Sequence, residues 1–211
     1  MSLPVIVLGA GGHAKVLMDV LLVNRITVLG MTDARPEKAG SRIMGIPVIG
    51  NDDVLIQYPP DTIELVNGIG SAGNPEKRIR IFETYKARGY HFTTVIHPSA
   101  IIAADVAVGE GTQIMAGSII QPGCRIGVNA ILNTGVVVDH DCQIGDHVHL
   151  APGVVLSGDV KVGDQSHIGT AAAVIQGVSI GMLARIGAGA VVVRDIPSGV
   201  KAIGVPAKEV K

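Results

Sequence analysis

Tryptophan is absent from this 211-residue chain, and its five aromatic residues, Tyr58, Phe82, Tyr85, Tyr90 and Phe92, all lie at or before position 92. The last 119 residues must therefore fill their interior without a single ring, which excludes an ordinary mixed core and calls for stacked, uniform aliphatics. Runs of Lys and Arg are missing as well. With a formal net charge of -1 the chain lacks the electrostatic footprint of a nucleic-acid or membrane-surface binder, and a small-molecule role is expected. No apolar run is long enough to span a bilayer and no secretory h-region opens the chain. With only two cysteines, Cys124 and Cys142, these features predict a soluble cytoplasmic protein in a reducing compartment.

What is present is a count of six. From Ile96 to Val192, seventeen consecutive positions at six-residue steps are Ile, Leu or Val. The place four residues after each holds nothing larger than Val until Ile196, as at Ala100, Thr112, Cys124, Val136, Cys142, Ser166 and Ala190. A period of six fits neither a helix nor strands alternating through hairpins. It fits a short strand plus a corner, wound as a parallel β-solenoid with three hexads to a coil. Both the first and the fifth place of each hexad then point inward, and the unbroken register leaves no room for a long extruded loop.

The N-terminal stretch is built differently. "PVIVLGAGGHAKVLMDVLL" reads as a strand, a glycine turn and a helix, and "ITVLGMTDARP" as a second strand ending near Asp33. "IPVIG" and "TIELVNGIGS" read as further strands, and "NPEKRIRIFETYKARG" as a helix with Ser71 or Asn74 near its cap and Gly89 past its end. Gly9, Gly11 and Ala14 satisfy G-x-G-x-x-A, with Asp33 beyond. Only about 90 residues precede the repeat, too few for the second half of a dinucleotide fold. Three readings remain: helix-terminal amides that cradle a pyrophosphate, a turn needed only for close packing, and, as the least favoured, a full dinucleotide site.

"VVDHDCQIGDHVHLAPG" gathers His140, His147 and His149 among three aspartates and a cysteine. In hexad register Cys124 and Cys142 take the inward fifth place, which argues against a Cys-His dyad, and no serine with a base in plausible register presents itself. The spacings from His140 to His147, His149 and His167 lack the close ligand pair that zinc-binding β-helical carbonic anhydrases use, although His149 and His167 share a column. A lone base is left, with Asp141 to fix its tautomer; since neighbours on a strand point apart, that pairing requires a corner. On these residues alone, a solvated surface histidine stays equally open.

The repeat, with "IGDHVH", "VGDQSH", "IGAGAV" and the terminal "GVPAKEVK", resembles the hexapeptide-repeat acyltransferases, which implies a left-handed parallel β-helix. "LNTGVVVDHDCQIGDHVHLAPG" together with "GAGGH" resembles more narrowly the NeuD/PglD type, the sialic acid O-acetyltransferases and bacillosamine-pathway N-acetyltransferases. The resemblance implies an α/β half-Rossmann-like nucleotide-sugar-binding domain over 1–92 and an all-β left-handed parallel β-helix acetyltransferase domain over 93–211. It makes His140 the general base and Asp141 the acid that raises its basicity, and it places acetyl-CoA near His149, Gly158, Thr170 and Ala188. Gly11, Gly12, His13, Asp33 and Gly70 would bind the nucleotide part of the substrate, and His147 would be a bystander. A homotrimer with sites between neighbouring prisms is implied, and no metal is expected. The activity so implied is acetyl transfer to the amino group of a nucleotide-linked amino sugar. The alternatives are sialic acid O-acetylation, a zinc-dependent carbonic anhydrase-like enzyme, and a non-catalytic nucleotide-sugar-binding protein.

Overall fold

The computed structural model describes residues 3–71 and 74–210, and the chain divides into two compact units, Met1–Pro98 and Ser99–Lys211. The first is a five-stranded sheet with β1 (Val5–Leu8), β2 (Val28–Thr32), β3 (Arg42–Ile43), β4 (Ile46–Gly50) and β5 (Glu64–Asn67). Helix α1 (Gly12–Val23) follows β1, and α2 (Glu76–Ala87) follows β5. The strand order is β3-β4-β2-β1-β5, parallel except for β3, a two-residue strand antiparallel to β4 that the sequence reading did not anticipate. All four residues of β1 are at most 1% exposed, as a central parallel strand covered on both faces should be. Leu17, Met18 and Leu21 of α1 are fully buried in the same unit. Phe82 stacks on Phe92 with centroids 4.6 Å apart and Tyr85 meets Tyr90 edge-on at 5.7 Å, so four of the five aromatics pack within this unit. The sheet changes direction at β1, which has β2 on one side and β5 on the other. In such sheets the crevice beyond the carboxyl ends at this switch point is where ligands bind.

The second unit is a parallel β-helix. Strands pair with partners 18 residues on, Ile101 with Ile119, Ile119 with Val137, Val137 with Val155, Val155 with Ala173 and Ala173 with Val191. The other two faces keep the same step. From Ile114 to Val192 every first-place aliphatic is at most 4% exposed, and the fifth-place residues from Thr112 to Ala190 are equally buried. The first-place Ile96 and Ile102 at the start are more open, since a terminal coil has one neighbouring coil and not two. Where the inward fifth place carries a hydrogen to donate, it donates fifteen residues ahead. Thr112 Oγ1 meets the Gly127 carbonyl at 2.7 Å, Ser118 Oγ that of Asn133 at 3.1 Å, and Ser166 Oγ that of Gly181 at 2.8 Å. The corners follow a rule of their own. Every fourth-place residue from Gly111 to Gly189 has a positive φ, and seven of these fourteen are not glycine, Asn129, Asp141, His147, Asp159, Gln165, Ala171 and Leu183. Each hexad is thus a two-residue strand and a left-handed corner.

The three faces differ outside. One presents the aliphatic column Ile101, Ile119, Val137, Val155, Ala173 and Val191; the next presents Ala107, Arg125, Gln143, Lys161 and Ser179; the third carries His149, His167 and Arg185.

Candidate active site

The corner supplies the geometry that the His140-Asp141 pair needs. Asp141 occupies a fourth place with φ 63°, so its side chain does not point away from its neighbour as it would on a strand. His140 Nδ1–H donates to Asp141 Oδ2 at 2.8 Å, and the backbone N–H of His140 donates to Asp139 Oδ1 at 2.8 Å. The bond to Asp141, aided by the charges of Asp139, Asp141 and Asp159, holds the imidazole pKa above its ordinary value against a smaller opposing effect of burial. With Nδ1 committed as donor, the neutral ring keeps Nε2 as its free acceptor. The two side chains are 50% and 67% exposed, so the pair adds little to stability and its importance lies in the tautomer it sets.

Two glycines, one coil to either side, make room for the pair. A Cβ on Gly158 would lie 2.4 Å from both Cε1 and Nε2 of His140, so the Nε2 side of the ring packs close against that glycine. A Cβ on Gly123 would lie 2.4 Å from Asp141 Oδ1. Gly158 N–H donates to no acceptor among the described residues, although its carbonyl accepts from Gly177 at 3.0 Å. The residue that the ring packs on thus also carries an amide donor, a pairing that could accept a proton and stabilise an oxyanion.

The remaining residues named from the sequence are not all at this corner. His149 is 8% exposed on the third face, where its ring meets His167 edge-on with centroids 4.8 Å apart. Burial first, then Arg185, lowers the His167 pKa and keeps that ring neutral. Thr170 and Ala188 are exposed third-place residues, stacked one coil apart at the corner that enters the aliphatic face, while His140 and Gly158 lie at the corner that leaves it. Within one chain these two groups are separated by that whole face. His147 takes a left-handed corner, and Asn129 Nδ2 donates to its Nδ1 at 3.0 Å, a structural contact between adjacent coils. No group of three or more His, Cys, Asp or Glu side chains able to hold a metal ion occurs among the described residues. Both thiols face inward. Cys124 donates to the Asp139 carbonyl at 3.0 Å and Cys142 to that of Ser157 at 3.2 Å, and burial raises both pKa values, that of Cys142 to about 12. They brace the corner from within and are no nucleophiles.

The α/β unit holds a second site. A cavity of about 600 Å³ opens at the carboxyl ends of β1, β2 and β5, lined among others by Gly11, Gly12, His13, Asp33 and Gly70, the five residues singled out from the sequence. Gly11 caps α1 without a side-chain cap bond, no acidic residue lies in the first turn, and Gly11, Gly12 and His13 at that helix start line the cavity. Gly68, also in the lining, is required for packing, because a Cβ would fall 2.8 Å from the Leu8 carbonyl and 2.9 Å from Ala14 Cβ. Asp33 is already engaged. Arg35 grips it through Nε and Nη2, both at 2.8 Å, and Lys38 Nζ stands 3.4 Å away while also donating to the Ala10 carbonyl. The Arg35 guanidinium holds the Asp33 carboxyl well below the usual carboxylate range. Arg35, Lys38 and Lys77 escaped the sequence reading because lysine and arginine in a loop or first helical turn carry no distinguishing pattern.

Comparison with known proteins finds matches for both parts of the chain. The PglD N-terminal domain family matches residues 4–85, and the bacterial transferase hexapeptide (six repeats) family matches residues 123–158. Perosamine N-acetyltransferase from Caulobacter crescentus, solved with CoA and GDP-perosamine as a histidine-to-asparagine variant, is 41% identical with a TM-score of 0.92, covering 99% of this chain and 97% of that one. The chain belongs to the NeuD/PglD-type hexapeptide acyltransferases. The acetyltransferase domain of PglB from Neisseria gonorrhoeae FA1090, solved with acetyl coenzyme A, is 34% identical with a TM-score of 0.93 over the full length of both chains. UDP-N-acetylbacillosamine N-acetyltransferase of Bacillus subtilis (strain 168) is 39% identical over 116 residues, a match spanning 53% of this chain and about half, 51%, of that relative. Membership makes the chain an acyltransferase of hexapeptide-repeat fold.

Proposed function

We propose that this acyltransferase moves the acetyl group of acetyl-CoA onto the amino group of a nucleotide-linked amino sugar by direct transfer. The observation that carries the reading is the His140-Asp141 corner, with Nδ1 locked by a carboxylate and the opposite ring edge against the free amide of Gly158. Nε2 takes a proton from the acceptor amine as its nitrogen attacks the thioester carbonyl. The resulting oxyanion is met by Gly158 N–H. As the C–S bond breaks, the imidazolium returns its proton to the departing thiolate, which leaves as CoA, and the amide product remains. Asp141 holds the ring and stabilises the cation without being protonated itself. His149, Thr170 and Ala188 bind acetyl-CoA. Residues 1–92 carry the nucleotide portion of the acceptor, through Gly11, Gly12, His13 and Gly70, with Asp33 acting through Arg35; residues 93–211 carry out transfer.

The active unit in this reading is a cytoplasmic homotrimer. Thr170 and Ala188 stand across the aliphatic face from His140, so one acetyl-CoA touches both sets only if a second copy brings its entering corner to the first copy's leaving corner. The apolar column on that face, with Ile101 65% and Val155 43% exposed in the isolated chain, is the surface such copies would share. The test is CoA release from acetyl-CoA with a panel of GDP-, UDP- and CMP-linked amino sugars and their hydroxyl counterparts that lack the amine. Turnover with one of them, abolished in His140→Ala, supports the proposal. Turnover with none, or only with sugars that lack an amine, overturns it.

A further inference from the structure

Arg78, in the first turn of α2, is a buried cationic side chain that the catalytic scheme does not use. It is 1% exposed and among the largest fully buried side chains of the molecule. Its Nη1 donates to the carbonyls of Asn67 at 2.9 Å and Ile69 at 2.7 Å, while Asn67 Nδ2 donates back to the Arg78 carbonyl at 2.9 Å and Asn67 Oδ1 accepts from Ile69 N–H at 3.3 Å. These contacts fix the turn that follows β5, and Gly68, Ile69 and Gly70 of that turn line the cavity at the switch point, as does Lys77 next to Arg78 in sequence. Burial pushes the guanidinium pKa down to about 9, which still leaves it charged at neutral pH. A guanidinium held in this buried setting keeps its charge close to the turn it braces, with little water between that charge and the far side of the turn. Ile69, whose carbonyl Arg78 holds, lines a cavity that the start of α1 and Lys77 also line.

We infer that Arg78 is a positioning residue for the diphosphate of the nucleotide-linked substrate, fixing the turn after β5 from behind and lending its buried charge to the cavity without touching the ligand. This rests on the reading of the cavity as a nucleotide site. Charge behind a protein wall is poorly screened by solvent and acts on an anion over several ångströms, whereas it does little to a neutral nucleoside.

The experiment is calorimetric binding to the full-length protein. GDP, UDP, CDP and ADP are compared first, and the tightest binder is then measured against its own uncharged nucleoside, in wild type, Arg78→Gln and Arg78→Lys. Gln keeps a donor for the carbonyls and loses the charge; Lys keeps both. The diphosphate should weaken about tenfold or more in Arg78→Gln while the nucleoside changes less than about threefold, and Arg78→Lys should restore the difference. If Arg78→Gln does not fold, Arg78→Lys decides on its own. A buried lysine loses its proton more easily than arginine, so its diphosphate-to-nucleoside preference should drop below that of wild type as pH rises from 6 to 9. Equal losses for both ligands, an unchanged diphosphate affinity, or a lysine variant that tracks wild type at every pH where Gln is unfolded would reduce Arg78 to a structural part and overturn the inference. Failure of the wild type to bind any of the four diphosphates would instead refute the nucleotide site itself.

Discussion

Replacing Gly158 by alanine probes the corner at its most sensitive point. The added Cβ would lie 2.4 Å from two atoms of the His140 ring, where ordinary contact begins at 3.4 Å, so the imidazole must retreat by about 1 Å. Gly158 is not among the glycines with a positive φ, so alanine meets no backbone penalty there and the coil itself is left intact. The ring is half exposed and free to swing, which makes the stability cost small and puts the whole effect on geometry. A base misplaced by about 1 Å typically costs on the order of a hundredfold in rate. Swinging away also breaks the 2.8 Å bond to Asp141 that raises the imidazole pKa. The expected outcome is kcat down about a hundredfold, melting temperature within about 3 °C of wild type, and the lower inflection of the pH profile displaced toward the free-imidazole value of about 6.5. The assay is CoA release across pH 5.5 to 9 beside a thermal melt. A variant with kcat within about threefold of wild type would refute the claim that the ring rests on this glycine in the working enzyme.

Four further expectations follow from the same geometry. His140 must be neutral to accept a proton and its pKa is raised, so kcat/KM should climb with pH through a value above about 6.5; Asp141→Asn should move that inflection down and cut kcat, and an inflection that stays put would remove Asp141 from the mechanism. Cys124→Ala and Cys142→Ala should each cost about 1 kcal/mol in urea titration and leave kcat close to wild type, and the native thiols should resist alkylation; loss of turnover in a folded variant would mean that a thiol takes part. Val155→Asp puts a carboxylate on the aliphatic face of every copy and should convert a trimer to monomers with activity lost, as read by sedimentation; a wild-type protein that sediments as a stable monomer would sink the shared-site proposal. Asp33→Ala should release Arg35 and Lys38 together, raising KM for the nucleotide sugar at least about tenfold with kcat and the KM for acetyl-CoA little changed; equal effects on both substrates would place Asp33 elsewhere in function.

The parts of this molecule that were legible in its sequence are those where a local rule repeats. A hexad writes its inward residues into the chain seventeen times, so the burial of Cys124 and Cys142 followed from register alone, and the structure puts both at 1% exposure or less. The pairing of His140 with Asp141 was legible only as a condition, since it needed a corner, and the corner is marked in sequence by glycine at just half of the fourteen fourth places. The other half spend conformational energy that no composition rule reveals, and Asp141 is one of them. What stayed hidden depends on chain neighbours one coil or one crossover away. Gly158 and Gly123 look like any hexad glycine until the coil is wound and a side chain from eighteen residues earlier or later settles on each. Arg35 and Asp33 are two residues apart and still unreadable as a pair, because a loop has no period to say where its side chains point. Arg78 is the furthest from legibility. A first-turn arginine between Lys77 and Ile79 reads as solvated, and only the approach of the turn after β5 turns it into a buried charge. Periodicity therefore reports which side chains each hexad buries, while the neighbours of His140, Asp33 and Arg78 are set by residues that no local pattern points to.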